Sequence, residues 1–331
     1  VLLSGHAPNN QAGAGAFQEM AQADMARPVT KAAWACRGGE HVASDVASAL
    51  DISRAGRPGP VNLNLPSDAL QASVDARGMP RAQVRTNVQR LDEAAARAVM
   101  DSLATASRPV ILAGPSLVYR SGRIKLRELQ EASGVPVIGM ESPRGMLDPS
   151  LGAFAEVLSQ ADRVLLLGKR MDFTVSFGGA PAFGAQCEFL QIDPEYAEIG
   201  RSMRAAKDRL LLSAVADLFP SIDALIAATR KPAGGGWRAE VEAAVAYRPA
   251  AWDTATSRVP NRLHPVELLR PLQKLLDSHP DAVLVADGGE IGQWAQACLS
   301  APHRIINGVG GSIGAALPFA MGARFAQKDA P

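Results

Sequence analysis

Short uninterrupted apolar runs alternate along this chain with longer stretches whose apolar residues return every three or four positions. In the first block, VLLSG (1–5) predicts a buried strand and GAFQEMAQADMA (15–26) a helix. GEHVASDVASALDISRAG (39–56) predicts an amphipathic helix with Val42, Val46, Ala49 and Leu50 on one face. RPGPVNLNLPSD (57–68) supplies a proline-punctuated turn and an alternating strand through Val61, Leu63 and Leu65, ended by Pro66. Residues 71–90 are polar and without period, which predicts a linker.

The second block repeats a strand–helix rhythm. Helices are predicted over 91–106, over 121–134 with Gly134 as its cap, ending within 156–161, and over 214–229. Strands are predicted over 108–116, 135–140, 162–173 and 187–195. Residues 231–261, rich in Gly, Pro and Ala, predict a second linker. The third block has a helix over 264–279, the strand AVLVADGGE (282–290), a helix over 291–301, and the segment RIINGVGGSIGAALPFAMGARFA (304–326). Continuous apolar strands alternating with helices specify an α/β fold: parallel sheets flanked by helices, with a complete Rossmann-like domain in the middle. The domains predicted are 1–70, 91–230 and 262–331, joined by the linkers 71–90 and 231–261.

Composition narrows this picture. The 331 residues exceed one ordinary core, and 47% hydrophobic with 20% charged residues is the balance of a soluble globular protein. A formal charge of +1 gives no reason to expect nucleic acid or a membrane as partner, and no apolar run is long enough to span a bilayer. Cys36, Cys187 and Cys298 form neither a zinc pattern nor a disulfide framework, which fits a reducing cytoplasm. The chain opens without methionine in what reads as a strand, and closes just after a helix where an α/β protein ordinarily adds another strand. It reads as a piece of a larger protein, with its third block too short of strands to make a sheet alone.

Two glycine-rich turns are the candidate chemistry. VADGGEIGQWA (285–295) runs from a strand through Gly-Gly into a helix, leaving free N–H groups at a helix start, an anion site strengthened by the helix dipole. It also reads as a plain strand–helix turn with Glu290 in the first turn. GVGGSIG repeats the arrangement; Gly308, Gly310 and Gly314 follow GxGxxxG, a loose dinucleotide fingerprint in which Ile313 stands where the stricter third glycine belongs. His6, just past a strand end, borders either a pocket or a simple loop. Asp287 with Asn307 imitates a metal-binding pattern, but an alanine precedes the aspartate and the spacing is short, so it is not read as a metal site.

This pair of turns, with RPGPVNLNLPSD upstream and FLQIDPEYAEIGRS in the middle, resembles the thiamine diphosphate-dependent decarboxylase and carboligase family. Acetolactate synthase-like members are nearest, with 2-hydroxyacyl-CoA lyase or oxalyl-CoA decarboxylase-like members close. The resemblance covers nearly the whole chain. It implies that residues 1–70 are the C-terminal part of a pyrimidine-binding domain, 91–230 a central domain, and 262–331 the N-terminal part of a diphosphate-binding domain.

The resemblance implies roles for particular residues. In GGSIG (310–314), Ile313 matches the bulky side chain that bends the cofactor and Gly311 the carbonyl that holds the pyrimidine amine, with Ser312 between them. Gly289 and Glu290 match a turn at the diphosphate end. Phe17 and Gln18 match residues on the substrate side of the cofactor, and Lys31 a lysine at the pocket mouth. Read without the resemblance, these are a core isoleucine, turn glycines, a buried aromatic, a solvated glutamine and a surface lysine. The glutamate that activates the cofactor and the Gly-Asp-Gly…Asn motif that holds Mg2+ match nothing between Val1 and Pro331, so the chain alone is expected to be inactive. Some members bind FAD or ADP in the central domain. With no glycine fingerprint after VILAG (110–114), a structural role is expected for it here.

The implied activity is making or breaking a carbon–carbon bond in a 2-keto acid or 2-hydroxyacyl substrate, small molecules that include acyl-CoA thioesters. The implied assembly is a homodimer or homotetramer. Two rivals remain from the residues: a nicotinamide-dependent oxidoreductase using GxGxxxG, and a non-catalytic nucleotide-binding or scaffold module.

Overall fold

The computed structural model describes residues 1–75, 77, 84, 88–230, 235–307 and 311–328. Its contacts group the chain into two compact units, Val1–Gln89 and Arg90–Pro331.

The first unit holds three parallel strands, β1 (Leu2–His6), β2 (Ala32–Ala35) and β3 (Val61–Pro66), in the order β1-β3-β2. Its helices are α1 (Gln22–Ala26), α2 (Val42–Arg54) and α3 (Ser67–Gln71). β3 is central. Val61 and Leu63 are buried and pack with Cys36 and Ala49, while Val42 and Val46 are half-buried beside them. Leu50, expected on the same face of α2, is 37% exposed, because the helix turns its alanines toward the sheet. The alternate residues of β3, Asn62 and Asn64, are also buried: Asn62 Nδ2 donates to Asn64 Oδ1 at 2.8 Å, and Ser4 Oγ donates to the same oxygen at 2.9 Å. Buried amides persist because they are paired.

Three expectations change here. β1 is an edge strand with Leu2 and Leu3 exposed, not a buried one. β2 was not anticipated, since Ala-Ala-Trp-Ala has no alternation to read. The helix expected over 15–26 contracts to α1. The Glu19 carboxylate accepts the N–H groups of Gly13, Gly15 (2.9 Å) and Ala16 (3.1 Å), and Gly13, Gly15 and Gln18 have positive φ, so the chain turns where a helix was read. Parts of the predicted 71–90 linker (76, 78–83 and 85–87) lie outside the described residues.

The second unit is built on a five-stranded parallel sheet of β4 (Pro109–Ala113), β5 (Val137–Gly139), β6 (Arg163–Leu167), β7 (Glu188–Asp193) and β8 (Leu210–Val215), ordered β5-β4-β6-β7-β8. That is a doubly wound order whose direction reverses between β4 and β6. One face packs Ile111, Leu165, Leu190 and Ile192 against α4 (Glu93–Thr105), α5 (Arg120–Ser133) and α8 (Leu218–Ala228). The other packs Val110, Leu112, Leu166 and Phe189 with Phe154 and Leu158 of α6 (Phe154–Leu158) and with α9 (Gly235–Ala246). Asp92 caps α4 by accepting from Ala94 and Ala95 N–H, and Gly134 closes α5 at φ +70°. At the reversal point the chain is tight: a Cβ at Gly114 would lie 1.9 Å from Gly168 O, and one at Gly168 would meet Leu218 at 2.4 Å.

The sequence pattern missed α7 (Tyr196–Ala206) and β8 altogether. β8 is an edge strand that alternates half-buried with exposed residues, so its pattern is weak, and the helix expected from 214 starts only at Leu218. The predicted 231–261 linker contains α9; its first residues, 231–234, lie outside the described set. Buried Trp237 and Val241, four apart, carry α9 onto the sheet, with Trp237 Nε1 donating to Pro109 O at 2.9 Å.

The unit continues with α10 (Pro265–Asp277), β9 (Val283–Val285), α11 (Gly289–Cys298), β10 (His303–Ile305) and α12 (Ala316–Ala326). His264 and Glu267 form a capping box on α10. β9 and β10 pair in parallel, Val283 opposite His303 and Val285 opposite Ile305. Glu141, just past β5, accepts from Arg123 at 2.9 Å and Arg304 at 3.1 Å, tying β10 to the five-stranded sheet's domain. Among the described residues no helix is long and apolar enough to cross a membrane, and no cluster of His, Cys, Asp and Glu could hold a metal ion.

Candidate functional site

Because β9 and β10 run side by side in the same direction, the turns that leave them emerge together. The first turn, Ala286–Gly288, enters α11; the second approaches α12 through Gly311–Ala315. Gly308 and Gly310 of the GxGxxxG spacing lie outside the described residues. Three described glycines here have φ values that favour a residue without a side chain: Gly289 (+79°), Gly311 (+65°) and Gly314 (+93°).

Asp287 joins the two turns. Its carboxylate accepts the N–H of Gly288 at 2.7 Å and that of Gly314 at 2.8 Å to Oδ2 and 3.0 Å to Oδ1. The N–H groups of Gly288, Gly314 and Ala316 hold its carboxyl below the usual carboxylate range. Sequence reasoning considered Asp287 only as a metal ligand and missed this. The readable signal was an aspartate at a strand end before Gly-Gly, one strand–helix unit ahead of a second glycine turn. Gly292 was missed too: a Cβ there would lie 1.9 Å from Asp287 O, so the first turn of α11 closes against this loop only without a side chain.

The predicted cofactor residues fall at this junction. Ile313 is 76% exposed, yet its Cγ2 lies 2.5 Å from where a Gly288 Cβ would be; Asn307 Nδ2 is 2.8 Å and Gly311 O 3.7 Å from the same point. Gly288 is therefore a bare stretch of backbone roofed by Ile313, Asn307 and the Gly311 carbonyl. Ser312 is exposed beside Ile313, and Glu290 is exposed in the first turn of α11. An isoleucine with three-quarters of its surface in water gains little from burial, so its position is not explained as core packing.

Phe17, Gln18 and Lys31 belong to the first unit. Phe17 is 86% exposed and Gln18 has φ +62°, on the turn gathered by Glu19. Lys31 Nζ donates to the carbonyls of Ala55 and Arg57 (3.0 Å to the latter) beyond the C-terminus of α2, where its charge suits the helix dipole. His6 places Nδ1 at 2.8 Å from Ala7 O and Nε2 at 3.2 Å from Met20 O, both local contacts.

The junction of turns fits a ligand with an anionic end and a flat end. N–H groups at the start of α11 suit a diphosphate, and the side-chain-free backbone of Gly311 lets a ring approach. The exposed Ile313 offers an apolar wedge beside both.

A family model described as "Thiamine pyrophosphate enzyme, central domain" matches residues 96–213. Acetolactate synthase of Mycobacterium leprae is 28% identical over 357 residues, covering 100% of this chain and 55% of that protein. The acetolactate synthase isozyme 1 large subunit of Escherichia coli is 26% identical, covering 99% of this chain and 59% of its own length. Oxalyl-CoA decarboxylase of Escherichia coli is 27% identical over 227 residues, 64% of this chain and 38% of that protein. The chain spans little more than half the length of the acetolactate synthases it matches.

Proposed function

Carrying a thiamine pyrophosphate enzyme central domain, the chain belongs to the thiamine diphosphate-dependent enzymes, and from that premise we propose that its two glycine turns bind thiamine diphosphate for carbon–carbon bond chemistry on a 2-keto acid or 2-hydroxyacyl substrate. Bound there, the cofactor supplies an electron sink next to a carbonyl. The chain's own contribution is grip and shape. Gly289 and Glu290 at the start of α11 would receive the diphosphate end, with α11's free N–H groups facing negative charge. The Gly311 carbonyl would accept from the pyrimidine amine, Ser312 would flank it, and Ile313 would press the two rings toward each other. Phe17 and Gln18 would face the substrate, and Lys31 would stand at the mouth of the pocket. Mg2+ would complete the diphosphate site, and the working assembly would be a homo-oligomer.

The observation that carries this reading is Ile313: a large apolar side chain left in water, held over the unsubstituted backbone of Gly288. The GxGxxxG reading as a nicotinamide site has no comparable support, since the relatives are acetolactate synthases and an oxalyl-CoA decarboxylase. Calorimetric titration of the full-length protein with thiamine diphosphate and Mg2+, beside NADH, tests the proposal. Saturable binding of the first and none of the second is expected. Ile313→Ala should leave the melting temperature within about a degree or two, as exposed truncations cost within ~0.5 kcal/mol, while slowing exchange of the thiazolium C2 proton at least tenfold. Binding of NADH alone, or an Ile313→Ala protein with unchanged C2 exchange, would overturn it.

A further inference from the structure

Packing does not shape the segment that carries Phe17 and Gln18. Between β1 and α1 none of residues 8–21 is buried, and Phe17 is 86% exposed, so little apolar burial holds it. Polar contacts hold it instead. At its start, Asn9 Nδ2 donates to Cys36 O at 3.1 Å and to Arg37 O at 3.3 Å, and the Asn10 N–H donates to Asp68 Oδ2 at 3.4 Å. At its end, His6 Nε2 lies 3.2 Å from Met20 O. Between them a single carboxylate closes the turn. Glu19 accepts the N–H groups of Gly13, Gly15 (2.9 Å) and Ala16 (3.1 Å), while its own N–H donates to Ala16 O at 3.0 Å.

Two features show that a definite shape is imposed. Gly13 and Gly15 sit at φ +79° and +76° in open space, where a Cβ would meet nothing within 4 Å, so they answer a demand of conformation and not of room. Gln18 takes φ +62°, which a residue with a side chain keeps only where its surroundings impose it. Such strain gathers at functional sites. The N–H groups of Gly13 and Ala16 hold the Glu19 carboxyl below the usual carboxylate range, so the clasp is charged and closed at neutral pH.

We infer that Glu19 is a positioning residue: its clasp on the backbone at Gly13, Gly15 and Ala16 fixes the direction in which Phe17 and Gln18 meet the substrate. This rests on the proposed function only in placing Phe17 and Gln18 at the substrate. Glu19, committed to three N–H groups, touches neither substrate nor cofactor and acts through its two neighbours. Without the clasp, Gln18 leaves its strained conformation and Phe17 turns with it. The core around Val61 and Leu63 loses nothing, since no residue of the segment belongs to it.

The test is kinetic, on the full-length protein with thiamine diphosphate and Mg2+, and with pyruvate and 2-oxobutanoate as probe 2-keto acids. Glu19→Ala should raise KM at least about tenfold for the acid that the parent turns over faster, as misplaced contacts do. Its dissociation constant for thiamine diphosphate should stay within about twofold, and its melting temperature within about two degrees. Glu19→Gln keeps one accepting oxygen and should recover part of the loss. Phe17→Ala is measured alone and combined with Glu19→Ala; a residue acting through its neighbour gives a combined loss well short of the product of the single ones. Unchanged kinetics in Glu19→Ala, a loss explained by weaker cofactor binding or a lower melting temperature, or full additivity with Phe17→Ala would each overturn the inference. A parent that turns over neither acid, or a Phe17→Ala protein with the parent's kinetics, would instead count against the proposed function, and the inference would fall with it.

Discussion

Gly314 donates its backbone N–H to the carboxylate of Asp287 at 2.8 Å, so the residue that ends one strand fixes the turn that follows the next. Each strand–helix unit could form its own glycine turn. This contact, with the packing of Ile313 over Gly288, ties one turn to the other. A ligand spanning an anion site on one turn and a ring site on the other depends on that tie.

Asp287→Ala should therefore loosen the second turn without unfolding the domain. Protection of the Gly314 amide from hydrogen exchange is expected to fall at least tenfold, and the dissociation constant for thiamine diphosphate to rise about tenfold, since a hydrogen bond to a charged acceptor is lost. The acid dependence follows from the sign of the shift. The folded state holds this carboxyl below its ordinary value of 3.8, so the stabilisation is present above that value and fades as pH falls through the lower folded one. Unchanged Gly314 protection in the variant would mean that the turn holds itself.

Gly288→Ala probes the same junction by steric means. Its Cβ would meet Ile313 Cγ2 at 2.5 Å and Asn307 Nδ2 at 2.8 Å, closer than atoms can pack. Overpacking of this kind costs ~1–3 kcal/mol unless the neighbour gives way. Ile313 is the neighbour with free space around it, so the substitution should displace it: modest destabilisation by urea titration, with cofactor binding reduced at least tenfold. Adding Ile313→Ala should recover part of the lost stability and none of the binding. Additive stabilities in the double variant would show that the two residues do not touch.

Both glycine turns and the strands leading to them were legible in the sequence, because strand–glycine–helix is a local pattern. Their coupling was not, since Asp287 and Gly314 are 27 residues apart and nothing local marks them as partners. The same division explains the fold. β4, β6 and β7 are buried on both faces and read as continuous apolar runs, whereas β8 and β2 are short or edge strands whose sequences say little. The helix expected at 15–26 failed for a nonlocal reason inside a local span: Glu19 reaches back to three N–H groups and stabilises a turn that propensity alone does not reveal. Composition misled at 231–261, where Gly and Pro at the ends hid a helix anchored by one tryptophan.

That anchor gives a stability prediction. Trp237 is 8% exposed, packs in the sheet's core, and donates Nε1–H to Pro109 O at 2.9 Å. Trp237→Ala should cost ~3–5 kcal/mol through lost burial and the cavity left behind. Trp237→Phe keeps most of the packing and loses the hydrogen bond, costing nearer ~1–2 kcal/mol with the carbonyl left unpaired. Urea denaturation of the three proteins measures both. A Trp237→Ala protein within 0.5 kcal/mol of the parent, the range of an ordinary surface substitution, would show that α9 is a loosely attached segment.

Alkaline stability should depend on one thiol. Cys187, 2% exposed just before β7, has its thiol pushed up to about 12, chiefly because burial penalises the thiolate, with Arg209 pulling the other way. An unfolded cysteine ionises near its ordinary value of 9.0. Below that value both states keep the proton and pH does not matter to this group. Between about 9 and about 12 the unfolded chain releases the proton and the folded one retains it, so stability is lost as pH rises. Other groups of the chain respond to alkaline pH as well, so the measurement is a difference between two proteins. Urea midpoints are compared at pH 8 and pH 10.5 for the parent and Cys187→Ala, and the parent should lose more between the two. Equal losses would mean that Cys187 ionises in the folded protein as readily as in the unfolded chain, which its burial against Phe189 and Phe183 does not allow.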